Sequence, residues 1–104
     1  MPEPTLERRR SPRYLCSHLL EVTKGRTILC ALLEDLSAEG AGVSLEIPLH
    51  DGETVKLAAA GFSATASVRH CQPRESGFFA GLEFAGHRWN PREWQPEHLY
   101  LPAA

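Results

Sequence analysis

The chain has 104 residues, a formal net charge of −2, 42% hydrophobic residues and 23% charged residues. This length and composition predict one soluble globular domain, and no apolar run reaches the roughly 18 residues needed to span a bilayer. The N-terminal residues are polar and interrupted by prolines, so we expect no secretory signal and a cytoplasmic location.

Residues 1–13 form the first expected unit, a flexible basic arm. They contain Pro2, Pro4 and Pro12 and show no apolar periodicity, which is typical of a segment without a packed core. The arm holds four arginines against two glutamates, so the rest of the chain carries the net negative charge. A general nucleic-acid platform would spread positive charge across a face. The arm therefore indicates a local binding segment for an anion.

Residues 14–104 are expected to form a barrel domain made of short strands. The first strand begins at Tyr14 and forms a hairpin with the second around Lys24-Gly25. A helix over residues 19–36 is opposed by Gly25 and by the β-branched residues beside it. The expected later strands are Thr27 to Leu33, Ala41 to Glu46, Thr54 to Ala58, Phe62 to Cys71 and Phe78 to Phe84. Six strands at roughly ten-residue spacing predict an antiparallel barrel or sandwich.

The second strand and the three cysteines lead to two expectations about burial. The second strand, TILCALL, is apolar on both faces, which predicts that it is covered on both sides. Cys16, Cys30 and Cys71 are odd in number and widely spaced, which argues against a disulfide framework. Cys16 lies near His18 and Cys71 follows His70, but neither pair has the spacing of a zinc site. We expect three buried, reduced thiols and no metal.

The tail after Ala85 changes character. Asn90 as N-cap and Pro91 at the first helical position predict a short helical segment, which Pro96 limits in length. Two roles remain open for the aromatic residues of the tail, a protein interface or a cap on the open end of the barrel. These residues are Trp89, Trp94 and Tyr100.

Two short motifs carry the functional prediction. Arg9 and Arg13 are spaced R-x-x-x-R, and residues 35–40 read D-x-S-x-x-G, with Asp35, Ser37 and Gly40 at the fixed positions. The simpler interpretation of the second motif is an ordinary turn, in which Gly40 supplies a positive φ. If the segment from Arg13 to Asp35 is one hairpin, however, the carboxylate returns close to the arm.

The chemistry of these residue types points to one kind of ligand. An ionised aspartate accepts two parallel N–H bonds, which is the pattern that the Watson–Crick edge of guanine offers. Arginine donates two bonds to guanine or to phosphate, and its plane stacks on a base. Glycine has no Cβ and lets a large ring approach the backbone. Together they predict a site for a ligand that contains both guanine and phosphate.

The two motifs resemble those of the PilZ domain, the bacterial receptor for cyclic di-GMP. Gly42-Val43 continues the second motif as in that family, and residues 81–84 are similar to the G-x-x-F that closes its last strand. The resemblance implies a six-stranded antiparallel PilZ-type β-barrel with a C-terminal helix. It also implies an arm that wraps over one or two cyclic di-GMP molecules and a motif that holds guanine. The short, proline-broken tail departs from the longer helix of many relatives.

The sequence is therefore interpreted as a cyclic di-GMP receptor that changes its surface on binding and regulates an unidentified partner protein, in the bacterial signalling that governs motility and biofilms. The expected ligand-binding residues are Arg8, Arg9, Arg10, Arg13, Asp35, Ser37 and Gly40. The alternative is a constitutive protein–protein adaptor of the same fold that does not respond to nucleotide. An enzyme is not expected, because no nucleophile–base pair stands out. We also expect no cofactor, nucleic-acid polymer or membrane insertion.

Overall fold

The computed structural model describes residues 11–100, which form a barrel of six antiparallel strands. The strands are β1 (Tyr14–Lys24), β2 (Thr27–Leu36), β3 (Gly40–Leu45), β4 (Thr54–Ala59), β5 (Phe62–Arg74) and β6 (Gly77–Phe84). They close in the order β1-β2-β3-β6-β5-β4, and every neighbouring pair is antiparallel. The predicted six-stranded antiparallel barrel is confirmed.

Strand β5 shows how the sequence forms this barrel. Phe62, Ala66 and Val68 are buried inside, whereas Ser63 and Arg69 are exposed outside, because successive side chains of a strand point to opposite faces. A register shift between β5 and β6 follows Val68 and changes which residues lie opposite each other beyond that point. The alternation places the hydrophobic core inside the barrel.

Strand β2 differs from its predicted form in length and in burial. It continues to Leu36, three residues beyond the predicted end. Ala31 and Leu33 are buried in the core, but Ile28 is 63% exposed and Cys30 is exposed as well. The expectation that β2 is covered on both sides was wrong, because the barrel wall is a single sheet whose inner face alone packs against the core.

The cysteines occupy three different environments, and all are free thiols. Burial, together with the nearby carboxylates of Asp35 and Glu34, raises the pKa of Cys16 to about 12. Cys71 is only half-buried and Cys30 is exposed, so the prediction of three buried thiols holds for Cys16 alone. Within residues 11–100 no group of three histidine, cysteine or acidic residues is placed to hold a metal ion.

The predicted helical segment of the tail is a single turn. The side-chain oxygen of Asn90 accepts a hydrogen bond from the Arg92 amide at 2.8 Å, and its carbonyl accepts one from the Glu93 amide at 3.0 Å. The cap is present, but no helix follows it in the described part of the chain. Pro96 leaves room for only one turn after Pro91, because a proline beyond the first helical position lacks the needed N–H and clashes with the preceding turn. Among residues 11–100, no helix is long and apolar enough to cross a membrane.

The two tryptophans of the tail pack against the barrel. Trp89 is 2% exposed, and its indole N–H donates to the carbonyl of Trp94 at 2.8 Å. The indole N–H of Trp94 donates to the carbonyl of Ala60 at 2.9 Å, and its ring stacks on Phe62 with centroids 4.6 Å apart. Of the two roles left open by the sequence, packing against the barrel is the one that both tryptophans perform. Tyr100 remains largely exposed.

Candidate functional site

The β1–β2 hairpin brings the end of the predicted arm next to the second motif. Leu15 pairs with Asp35, and Tyr14 pairs with Leu36. The Nε atom of Arg13 consequently lies 3.9 Å from a carboxylate oxygen of Asp35. The Asp35 side chain is only 16% exposed, so its charge is less screened by water than that of a surface carboxylate. The structure therefore places one residue from each motif in one ion pair.

The D-x-S-x-x-G motif spans the end of β2, the turn after it and the first residue of β3. The amide of Ser37 donates to the carbonyl of Gly40 at 2.8 Å, and the Ser37 hydroxyl lies 3.4 Å from the same oxygen. Gly40 does not have the positive φ that the ordinary-turn interpretation of the motif would give it. A Cβ there would collide instead with the backbone carbonyl of Leu82 on β6. Gly40 is thus required by the close approach of two strands.

Glu39, a variable position of the motif, joins three segments of the chain. One of its carboxylate oxygens accepts a hydrogen bond from the Ser11 hydroxyl at 2.7 Å and another from Arg88 Nη1 at 3.1 Å. The bond from Ser11 lowers the pKa of Glu39, and Arg88 contributes in the same direction. In addition, the Trp89 amide donates to the carbonyl of Ala38 at 3.1 Å. The tail therefore braces the motif turn, which the sequence analysis did not predict.

A row of paired residues begins at Asp35 and crosses four strands. Asp35 on β2 pairs with Gly42 on β3, Gly42 pairs with Gly81 on β6, and Gly81 pairs with His70 on β5. A Cβ at Gly42 would lie 2.6 Å from a carboxylate oxygen of Asp35, and one at Gly81 would collide with the imidazole of His70. The two glycines thus let a carboxylate and an imidazole lie against the sheet. We call these four residues the polar row.

Phe79 and Arg74 lie next to the polar row. A Cβ at Gly42 would also lie 2.6 Å from the Phe79 ring. The guanidinium of Arg74 stacks over this ring, 4.3 Å from its centroid, and Arg74 Nη1 donates to both carboxylate oxygens of Glu34 at 2.9 and 3.0 Å. The site thus includes an aromatic face held by a guanidinium. Sequence reasoning missed His70, Phe79 and Arg74, because only the cross-strand register brings them to the motif.

The comparison with protein families settles the class of domain to which this site belongs. The model of the PilZ domain matches residues 7–91. The chain belongs to the PilZ domain family. Both motifs singled out in the sequence fall within the PilZ match. PilZ domains are binding and adaptor domains, so binding rather than catalysis is the activity of this class.

A solved PilZ-domain structure has the same fold. The structure of the Bacillus subtilis inhibitor of motility MotI/DgrA is 20% identical in sequence, with a TM-score of 0.61. The similarity covers 77% of this chain and 43% of MotI/DgrA, so the chain spans less than half the length of that protein. No curated protein matches the chain. At this identity, the likeness establishes the PilZ barrel and not the ligand.

The structure describes only some of the residues that the sequence predicts to bind the ligand. Arg13 lies at the site, in the ion pair with Asp35. Arg8, Arg9 and Arg10 lie outside the described residues, as does the greater part of the predicted flexible arm, residues 1–13. Asp35, Ser37 and Gly40 follow one another along the β2–β3 connection, and Gly40 faces β6 instead of an open surface.

Proposed function

We propose that this PilZ domain is a receptor for cyclic di-GMP, with a site formed by the arm arginines, the β2–β3 motif and the polar row. The single observation that carries the proposal is the ion pair between Arg13 and Asp35, whose charged atoms are 3.9 Å apart. Neither motif is specific alone, but the fold joins them at one point. The group proposed to bind phosphate and the group proposed to read guanine therefore lie side by side.

Asp35 is the proposed reader of the guanine base. Its carboxylate accepts from the N1–H and N2–H₂ groups of guanine, and its low exposure strengthens these charge-assisted bonds. His70 lies on the same side of the sheet as Asp35, at the other end of the polar row. Phe79 lies on that side too, over Gly42. Both have planar rings on which a base can stack, as aromatic side chains do in nucleotide recognition. The proposed ligand thus meets hydrogen-bond acceptors and aromatic faces together.

The arginines are the proposed phosphate clamp. Arg13 is half-exposed at the edge of the site, where its guanidinium can turn from Asp35 to a phosphate when guanine occupies the carboxylate. Arg8, Arg9 and Arg10 are proposed to close over the ligand from the arm. Ordering a segment carries an entropic cost of roughly 1–2 kcal/mol per residue, which several charge-assisted bonds to two phosphates offset.

The proposed output is a surface that exists only with ligand bound. The arm, laid across the barrel by the ligand, presents new side chains to a protein partner, which is regulation by a ligand-dependent change of surface. MotI/DgrA is named as an inhibitor of motility, which supports a regulatory output. The partner is identified only by this requirement: it must distinguish the barrel with the closed arm from the barrel without it.

Replacing Arg13 by alanine is expected to weaken cyclic di-GMP binding about ten-fold, because one charge-assisted contact to phosphate is worth about 1.5 kcal/mol. Isothermal titration calorimetry of the full chain measures the change in Kd. The matched control is Arg26→Ala, since Arg26 is an exposed arginine in the turn at the opposite end of the same hairpin. Binding should also weaken as salt rises. Equal effects of Arg13→Ala and Arg26→Ala, or a Kd that does not change with salt, would contradict the proposal that Arg13 binds phosphate.

A further inference from the structure

Residues 11–13, which we call the root of the arm, are held at both ends. At one end, the Ser11 hydroxyl donates to a carboxylate oxygen of Glu39 at 2.7 Å. At the other end, the chain enters β1 at Tyr14, which is fixed by its pairing across the β1–β2 hairpin. Arg13 lies between these two anchors, so its position beside the β2–β3 motif depends on both of them.

The backbone between the two anchors has little freedom. Pro12 fixes its own φ and disfavours the helical region for Ser11 before it. Few dihedral angles of the root therefore remain free while Ser11 is bound. Without the bond to Glu39, the root would be fixed only where it enters the sheet, and Arg13 would move with a free end of chain. This one hydrogen bond consequently decides whether the root is fixed at one end or at two.

Glu39 is itself held in place by groups other than Ser11. Its backbone carbonyl accepts a hydrogen bond from the Phe84 amide at 2.8 Å, and its carboxylate accepts a second bond from Arg88 Nη1 at 3.1 Å. Arg88 is followed in the chain by Trp89, which is buried. Both bonds to the carboxylate are charge-assisted, which makes them stronger than bonds between neutral groups. Glu39 is therefore a fixed acceptor for the root of the arm.

We propose that Glu39 is a positioning residue, which holds the root of the arm so that Arg13 lies beside Asp35 and is ready for the phosphate of the ligand. Glu39 acts through Ser11 and makes no contact with the ligand itself. The inference rests on the proposed function, because the site that Glu39 serves is the proposed cyclic di-GMP site.

Charge alone would give Glu39 the opposite effect on binding. A carboxylate repels an anionic ligand, and this carboxylate also neutralises Arg88, a cation that would attract the ligand. Removing Glu39 should therefore tighten binding if only its charge matters. It should weaken binding if its hold on Ser11 matters more. The sign of the change separates the two roles.

The first measurement is made on the ligand-free chain, by ¹⁵N relaxation of its backbone amides. In Glu39→Ala, the order parameters of the Ser11 and Arg13 amides should fall below about 0.6, the range of flexible backbone. The order parameter of the Leu15 amide, within β1, should stay near about 0.85. Ser11→Ala should release Arg13 in the same way, because it removes the other partner of the bond. Order parameters that are the same in Glu39→Ala as in the unmodified chain would overturn the proposal.

The second measurement is calorimetric titration with cyclic di-GMP. Glu39→Ala should weaken binding about two- to ten-fold, the range that corresponds to one hydrogen bond. Ser11→Ala and the double variant should give the same Kd as Glu39→Ala, because all three remove the same bond. Glu39→Gln keeps an acceptor oxygen for Ser11 and should restore part of the affinity. The backbone bond from Phe84 to Glu39 is retained in each variant, so circular dichroism is expected to show folded protein.

Glu83→Ala is the matched control. Glu83 pairs with Gly40 across β3 and β6, forms an ion pair with Arg69, and has a side chain that is 49% exposed, against 40% for Glu39. Its removal should leave the Kd unchanged or lower it, since only a negative charge is lost. An unchanged or lower Kd in Glu39→Ala would overturn the proposal and leave the proposed function intact. If the unmodified chain does not bind cyclic di-GMP, the proposed function fails together with the role of Glu39 in binding, whereas the order parameters of the ligand-free chain still decide whether Glu39 holds the root in place.

Discussion

Replacing Asp35 by alanine is expected to weaken cyclic di-GMP binding by about ten- to hundred-fold, because a charge-assisted pair at a poorly solvated position is worth about 1.5–3 kcal/mol. Asp35 offers a carboxylate that is only 16% exposed at the point where the two motifs meet. Asp35→Asn keeps the shape of the side chain but loses its charge and one acceptor oxygen, so a similar loss is expected. Calorimetric titration of each variant gives the Kd.

Two controls separate base recognition from general phosphate binding. Asp51→Ala removes an exposed carboxylate from the turn before β4 and should leave the Kd unchanged. Cyclic di-AMP should bind poorly to the unmodified chain, because the Watson–Crick edge of adenine presents one donor and one acceptor and does not satisfy a carboxylate twice. If Asp35→Ala leaves the Kd for cyclic di-GMP unchanged, or if cyclic di-AMP binds as tightly, Asp35 does not read guanine.

Replacing Trp89 by alanine is expected to lower the free energy of unfolding by about 3–5 kcal/mol, the range for removing a large aromatic side chain from a core. Trp89 is 2% exposed, packs edge-on against Tyr14 with ring centroids 5.5 Å apart, and donates a hydrogen bond to Trp94. Removing the indole leaves a cavity in the core, and the carbonyl of Trp94 loses its hydrogen-bond donor. Urea unfolding followed by circular dichroism measures the change.

The control for Trp89 is another aromatic residue of the same tail. Tyr100 is 59% exposed, so Tyr100→Ala should change the free energy of unfolding by no more than about 0.5 kcal/mol, as exposed substitutions do. Trp89→Phe, which refills part of the cavity, should fall between the two. If Trp89→Ala and Tyr100→Ala have equal effects, the tail does not complete the barrel core.

The strands could be predicted because the pattern of apolar and polar residues along them follows the burial of their side chains. In β5 the apolar and polar residues alternate, and the structure follows that alternation from Phe62 to Val68. In β2 the outward positions are also apolar, so the pattern cannot distinguish an exposed Ile28 from a covered one. In the tail, the sequence correctly predicts the cap at Asn90 and a short segment limited by Pro96, but this segment is a single turn and not a helix.

The sequence could predict only the part of the site that one hairpin brings together. The pairing of β1 with β2 brings Asp35 back to Arg13, and a hairpin is a local feature that turn residues indicate. His70 and Phe79 reach the site through pairings across β3, β6 and β5. Register shifts beside Asp35 and beside His70 set those pairings, and no local sequence signal places such shifts.

The most direct test of the central claim is a titration of the full, ¹⁵N-labelled chain with cyclic di-GMP, followed by amide chemical shifts. We predict saturable shifts at Asp35, Ser37 and the polar-row positions Gly42, Gly81 and His70, with no change at Gly25 in the distant β1–β2 turn. A folded protein whose amides do not shift at any ligand concentration would contradict the account and leave a constitutive adaptor of the PilZ fold. Shifts centred on Gly25 would contradict it equally.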